Sequence, residues 1–78
     1  MPRFFFDTIN GAGAIFDDEG EELPDAIIAK QMACTTLGEI MADMSRTEEA
    51  AQCQATVRDE SGARLFTARL TLSVTDAT

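Results

Sequence analysis

Six acidic side chains crowd one short stretch of this chain: Asp17, Asp18, Glu19, Glu21, Glu22 and Asp25, within DDEGEELPD. Clustered carboxylates are the usual means of holding a hard cation, since Ca²⁺ takes about six to eight oxygen ligands. The spacing does not fit an EF-hand loop, where acidic or amide ligands sit at alternate positions ahead of a glycine. The plainer reading is a solvated loop whose negative charge favours the positive N-terminal end of the helix that follows. No metal ligand is assigned from it, and a small metal-binding protein using this loop stays as an alternative.

Two thiols are the next candidates. Cys34 is expected on the flank of a helix and Cys53 on the inward face of a strand, so the two could approach one another. A redox switch or soft-metal pair would use them, but there is no CxxC and no histidine anywhere. They read as two isolated core thiols of a reducing compartment. The lack of histidine also removes the usual proton shuttle near neutral pH, and nothing supplies a Ser–His or Cys–His pair. A carboxylate dyad could still act as acid and base. A chain of 78 residues with one helix over one sheet face leaves little room for a water-excluding pocket. Gly11-Ala12-Gly13 is turn chemistry, because no helix and no GK[ST] follows it. The chain is therefore expected not to be an enzyme, with no catalytic residue and no cofactor.

The third constellation joins arginine with an aromatic. Strand alternation puts Arg3, Phe5, Gln54, Thr56, Arg58, Thr67, Arg69 and Thr71 on one sheet face, with Leu65 beside them. A sheet displaying arginine and aromatic groups is, in kind, what single-strand RNA platforms use to stack bases. One aromatic is fewer than such platforms want, and the net charge of −8 repels phosphate backbones. Arg3, Phe5, Arg58, Leu65, Thr67 and Arg69 are the candidate interaction face for a homodimer or another protein. Nucleic acid is disfavoured, and an antitoxin-like regulator using the same face is the rival reading.

These residues need elements to position them. Arg3 to Thr8 alternates, with Phe4 and Phe6 on one face and Arg3, Phe5 and Asp7 on the other, which predicts a half-buried strand. The glycines after Asn10 supply a tight reversal, so Ala14 to Asp17 is expected to return as a second strand. The acidic stretch from Asp17 to Pro24 reads as loop. Pro24-Asp25 opens a helix, with Asp25 as N-cap, running to about Ser45. Ala26, Ala29, Ala33, Leu37, Ile40 and Met44 form its stripe, flanked by Met41, Cys34 and Ile27, while Ile28 and Met32 are placed on the side away from the sheet. Strands are then expected over 51–60 and 64–74, separated by Ser61-Gly62. The order is ββαββ: an α+β fold, a four-stranded and mainly antiparallel sheet with one long helix on one face, in a single domain over 1–78.

Composition sets outer bounds. Six basic against fourteen acidic side chains make a strongly acidic protein, and Phe4-Phe5-Phe6 is far too short for an export core or a membrane span. A cytoplasmic location is the expectation. A core of this size rarely supplies more than about 3–5 kcal/mol of net stability, which makes pairing of chains a physical expectation as well.

Three blocks, MPRFFFD, then DDEGEELPD leading into an Ala-rich helix, then VRDESGARLFTARLTLSV, resemble a family of small bacterial proteins found in rhizobia and other alphaproteobacteria. That family carries a domain-of-unknown-function label. The resemblance covers nearly the whole chain and implies a bacterial cytoplasmic source and one small domain. It implies no activity, cofactor or site residue. The chain departs from the usual pattern at Phe4, where a tyrosine is common, and at Cys34 and Cys53.

Overall fold

The alternation of FFFD produces a central strand whose two faces meet different surroundings. In the computed structural model, which describes residues 1–11 and 13–77, this strand is β1, Arg3–Asn10. It is followed by β2 (Gly13–Ile15), β3 (Glu21–Glu22), α1 (Ala26–Met44), β4 (Ala50–Arg58) and β5 (Arg64–Ser73). The strands form one antiparallel sheet in the order β2-β1-β4-β5, with β3 also on β1, and α1 crosses one face. The fold is α+β, as expected. Ala12, in the predicted reversal after β1, lies outside the described residues.

The acidic stretch is not wholly loop. Glu22 and Glu21 pair with Arg3 and Phe4, so the order is βββαββ and the sheet has five strands. The same edge of β1 takes Ile15 opposite Thr8 and Glu21 opposite Phe4. Residues 16–20 therefore span the three positions 5–7, two more than a regular ladder holds. The surplus bows out of the sheet as an arch. Sequence alternation misses this because charge and glycine there read as turn, while the pairing partner is β1 itself.

Asp25 caps α1, its carboxylate accepting from the Ile28 N–H at 2.9 Å. The buried ridge is Ala29, Ala33, Leu37 and Met41, packed on Phe4, Leu23, Cys53, Ala55 and Val57. Ala29 and Ala33 are wholly enclosed, so no side chain holds the helix backbone off the sheet there. Ile28 and Met32, expected to face away, are half-buried against this core, whereas Ala26, Ile27 and Cys34 are exposed. A ridge at i, i+4 drifts by about 40° per step around the helix. A contact line drawn at a fixed angle therefore fails at its N-terminal end: the buried set begins on the Ile28/Met32 side and ends on the Ile40/Met44 side.

Gly38 sits inside α1 with nothing within 4 Å of where a Cβ would stand. Alanine there restores helix propensity at no steric cost, so Gly38→Ala is expected to stabilise the chain by about 0.5–1 kcal/mol. A rise in the urea midpoint checks it. An unchanged or lower midpoint would show that the helix surface at this point is not open.

Candidate interaction surface

The face of the sheet opposite α1 carries Phe5, Asp7 and Ile9 from β1, Gln54, Thr56 and Arg58 from β4, and Thr67 and Arg69 from β5. The register sets Phe5 beside Arg58, Asp7 beside Thr56, and Gln54 beside Arg69. The structure divides the six candidate residues into two groups, one drawn into contacts around the arch and the other lying along the last strand, β5.

The first group is Arg3, Phe5 and Arg58, all committed within the chain. Arg58 grips Asp7 with two bonds, Nε to Oδ2 at 2.7 Å and Nη2 to Oδ1 at 3.1 Å, and Nη2 also donates to the Asp17 carbonyl at 2.7 Å. Its Cζ lies 4.9 Å from the Phe5 ring centre and 4.3 Å from that of Phe16. The planar guanidinium suits both roles, a fork for a carboxylate and a plate for an aromatic face. Side-chain exposure of 15 % for Arg58 and 22 % for Asp7 leaves this pair mostly sheltered. The expectation that Arg58 looks outward toward a partner is corrected here: the arch folds over it. Phe5 is likewise half-covered, with Gly20 of the arch against its ring. Arg3 donates to the Glu19 carbonyl at 2.9 Å and pairs with Glu22 at 3.4 Å, an exposed ion pair of small energetic weight.

Asp17 is the pin of the arch. One carboxylate oxygen accepts from the Phe6 N–H at 3.0 Å, the other from Glu19 at 3.1 Å and Gly20 at 3.0 Å, while its own N–H donates to Asp7 Oδ1. The sequence hinted at this through the Asp-x-x-Gly spacing and through Phe16, which continues the alternation of β2 onto the Arg58 face. In the metal-binding alternative these oxygens would be ligands, but backbone donors already take them. Among the described residues no three Cys, Asp or Glu side chains converge.

These contacts tune the acids. The Arg58 hydrogen bond holds the Asp7 carboxyl below its ordinary 3.8. Burial pushes Asp17 up, but the N–H donors of Gly20, Phe6 and Glu19 and the charge of Arg58 outweigh it, and the net shift is downward. Asp59 is also lowered, first by the Ser61 hydroxyl. A carboxyl depressed on folding stabilises the native state fully above its unfolded value, and that stabilisation disappears as pH falls through the folded value. Stability is therefore expected to hold from neutral pH down to about pH 4 and to fall steeply below it. Urea midpoints from pH 7 down to about pH 2.5 check this; a flat profile over that range would show the acids uncoupled from the fold.

The second group is Leu65, Thr67 and Arg69, all on β5. Leu65 is 41 % exposed, and Arg69 lies at the surface with its guanidinium on Gln54 Oε1 at 2.9 Å. Thr67 shares a hydroxyl hydrogen bond with Thr56 at 3.0 Å. β5 packs against β4 and α1 and against no other element among the described residues, so its outer edge is bare. Leu70 and Val74 add exposed apolar surface along it.

The two thiols are not brought together: Cys34 is exposed on α1, while Cys53 is enclosed and lies 3.7 Å from the Leu37 carbonyl. Burial pushes the Cys53 thiol up and away from reactivity. A groove of about 490 Å³ between the end of α1 and the start of β4 has Asp43 and Glu48 as its titratable side chains, with the Thr47 hydroxyl beside them. Among the described residues no helix is long and apolar enough to cross a membrane.

No curated protein and no solved structure matches the chain. Residues 3–71, from the first residue of β1 to near the end of β5, match one family throughout. The chain belongs to that family, described as a domain of unknown function, DUF6894.

Proposed function

We propose that this chain is a non-enzymatic protein-interaction module of the cytoplasm, and that it meets its partner along the outer edge of β5. The observation that carries this reading is the asymmetry of the two sheet edges. On one side, β1 is covered by two very short strands separated by the arch, a discontinuous edge that offers no long ladder. On the other, β5 runs ten residues laddered to β4 on one side only, with no proline and with exposed Leu65 and Leu70. Natural sheets guard long edges with short strands, prolines or inward charges, and an unguarded one is a template for a further strand. The cytoplasmic part of the reading rests on the two free thiols. The nucleic-acid alternative is weakened because Arg58, one of its three arginines, is held by Asp7 and the arch.

A photo-activated cross-linker placed at Thr71 on β5 tests this in living cells, with one at Lys30 on the exposed side of α1 as control. Adducts are expected from position 71 and not from 30. Adducts at neither position, or equally at both, would remove β5 as the binding edge.

A further inference from the structure

We infer that two copies of this chain associate by antiparallel pairing of their β5 strands, with Ala68 facing the partner's Ala68 across a two-fold axis. This names the partner for the edge reading above and rests on it. Backbone direction decides which groups of β5 are available for pairing. The Val74 N–H donates to the Glu49 carbonyl at 2.7 Å, so residue 74 directs its polar groups toward β4. In an antiparallel ladder successive residues alternate, and Leu72, Leu70, Ala68 and Phe66 also point inward. Thr67, Arg69, Thr71 and Ser73 therefore present their N–H and C=O groups at the bare edge, along a strand about 34 Å long.

Self-pairing of this strand has few allowed registers. Opposing residues must share a face, which permits only shifts of two. Centring on Arg69 sets two guanidinium groups directly opposite, which opposes pairing. Centring on Leu70 shortens the overlap to Thr67–Ser73. Centring on Ala68 overlaps nearly the whole strand, places Thr67 opposite the partner's Arg69, and sets Phe66 against the partner's Leu70 on the helix side. At the centre apolar meets apolar and polar meets polar, only the outer pairs (Leu65 with the partner's Thr71, Arg64 with the partner's Leu72) are mixed, and β5 has no carboxylate to repel its copy. The chain also has cause to pair. Its enclosed core is thin, with Val57 and Cys53 the largest fully buried side chains, and both cysteines are free. Small domains that lack disulfide or metal staples commonly gain stability through oligomers. An edge-only contact is modest in area, so the dimer is expected to be a weak and reversible one.

Three measurements on the full chain decide it. Light scattering is expected to give twice the chain mass at about 200 µM and the single mass at high dilution. Thr71→Pro removes an N–H aimed away from β4, so the chain is expected to keep its circular dichroism and lose the dimer. In a Cys34→Ser background, Ala68→Cys is expected to cross-link on mild oxidation, since facing residues outside the hydrogen-bonded pairs lie about 4.5 Å apart at Cα, while Leu70→Cys cross-links at least ~10-fold less. Should the proline variant fail to fold, the cysteine pair alone decides. A single mass at every concentration with no Ala68→Cys product overturns the pairing, as does a dimer that Thr71→Pro leaves intact. Another protein captured at position 71 by a monomeric chain would sink self-association and leave the edge reading standing; no adduct there would sink both.

Discussion

Gly20→Ala is expected to lower the stability of the chain by about 3 kcal/mol and to free the arch from the sheet. The backbone at Gly20 has φ +70, in the left-handed region, where a Cβ costs about 1 kcal/mol by itself. The larger cost is space. A Cβ there would stand 2.8 Å from Phe5 Cε2, 2.9 Å from Arg3 Cγ and 2.9 Å from the Phe4 carbonyl oxygen. The first two atoms belong to side chains that can move. The third belongs to β1, which is fixed by ladders on both sides, so the arch must lift instead. Lifting it breaks the Asp17 bonds to Phe6 and Asp7 and takes the Asp17 carbonyl away from Arg58. Chemical denaturation reads the loss directly. Adding Phe5→Val is expected to return only a minor part of it, since the carbonyl clash remains. A loss under about 1 kcal/mol would show that the arch does not depend on a bare Cα at this position.

The outline of this fold is legible in the sequence because alternation and helix capping are local signals. Phe4 and Phe6 against Phe5, Cys53 through Val57, and Asp25 ahead of the helix each report their own surroundings within a few residues. What is hidden is non-local. β3 is two glutamates whose strand character comes only from Arg3 and Phe4 across the sheet. The rotation of the helix contact line depends on what lies beneath each turn, which the helix sequence carries only weakly when half its stripe is alanine. The candidate face is less legible. Alternation correctly placed Arg58 and Phe5 on the side opposite the helix, but it cannot tell an open face from one that another loop crosses. The arch that crosses it was written in the acidic stretch, where abundant charge concealed one carboxylate, Asp17, with a structural task. Leu65, Thr67 and Arg69 stayed exposed for an equally non-local reason: β5 is last in the sheet.

Arg58→Met is expected to lower the melting temperature by about 10 °C, although methionine keeps much of the apolar stem. The substitution leaves Asp7 largely sheltered with no counter-charge, and it strips the Asp17 carbonyl of its donor and the Phe16 ring of its plate. Arg58→Lys is expected to recover only part of this, because an ammonium can neither grip both Asp7 oxygens in a fork nor stack flat against two rings. Pairing the change with Asp7→Leu separates charge from packing. Removing both partners abolishes the stranded carboxylate, so the double variant is expected to melt above Arg58→Met alone. The acid response supplies a second readout: without the Arg58 hydrogen bond the Asp7 carboxyl rises toward its ordinary 3.8, so part of the stability lost at low pH in the native chain is already missing near neutrality. This has a direct bearing on function. A charge reversal at Arg58 would weaken nucleic-acid binding and protein binding alike by unfolding the arch, and so would discriminate nothing. Arg69→Glu, which alters an exposed side chain held only by Gln54, changes the surface while sparing the cluster. If Arg58→Met instead melts within about 2 °C of the native chain, the Asp7–Arg58–Phe16 cluster is a surface ornament, and the first half of the candidate face returns to being available for a partner.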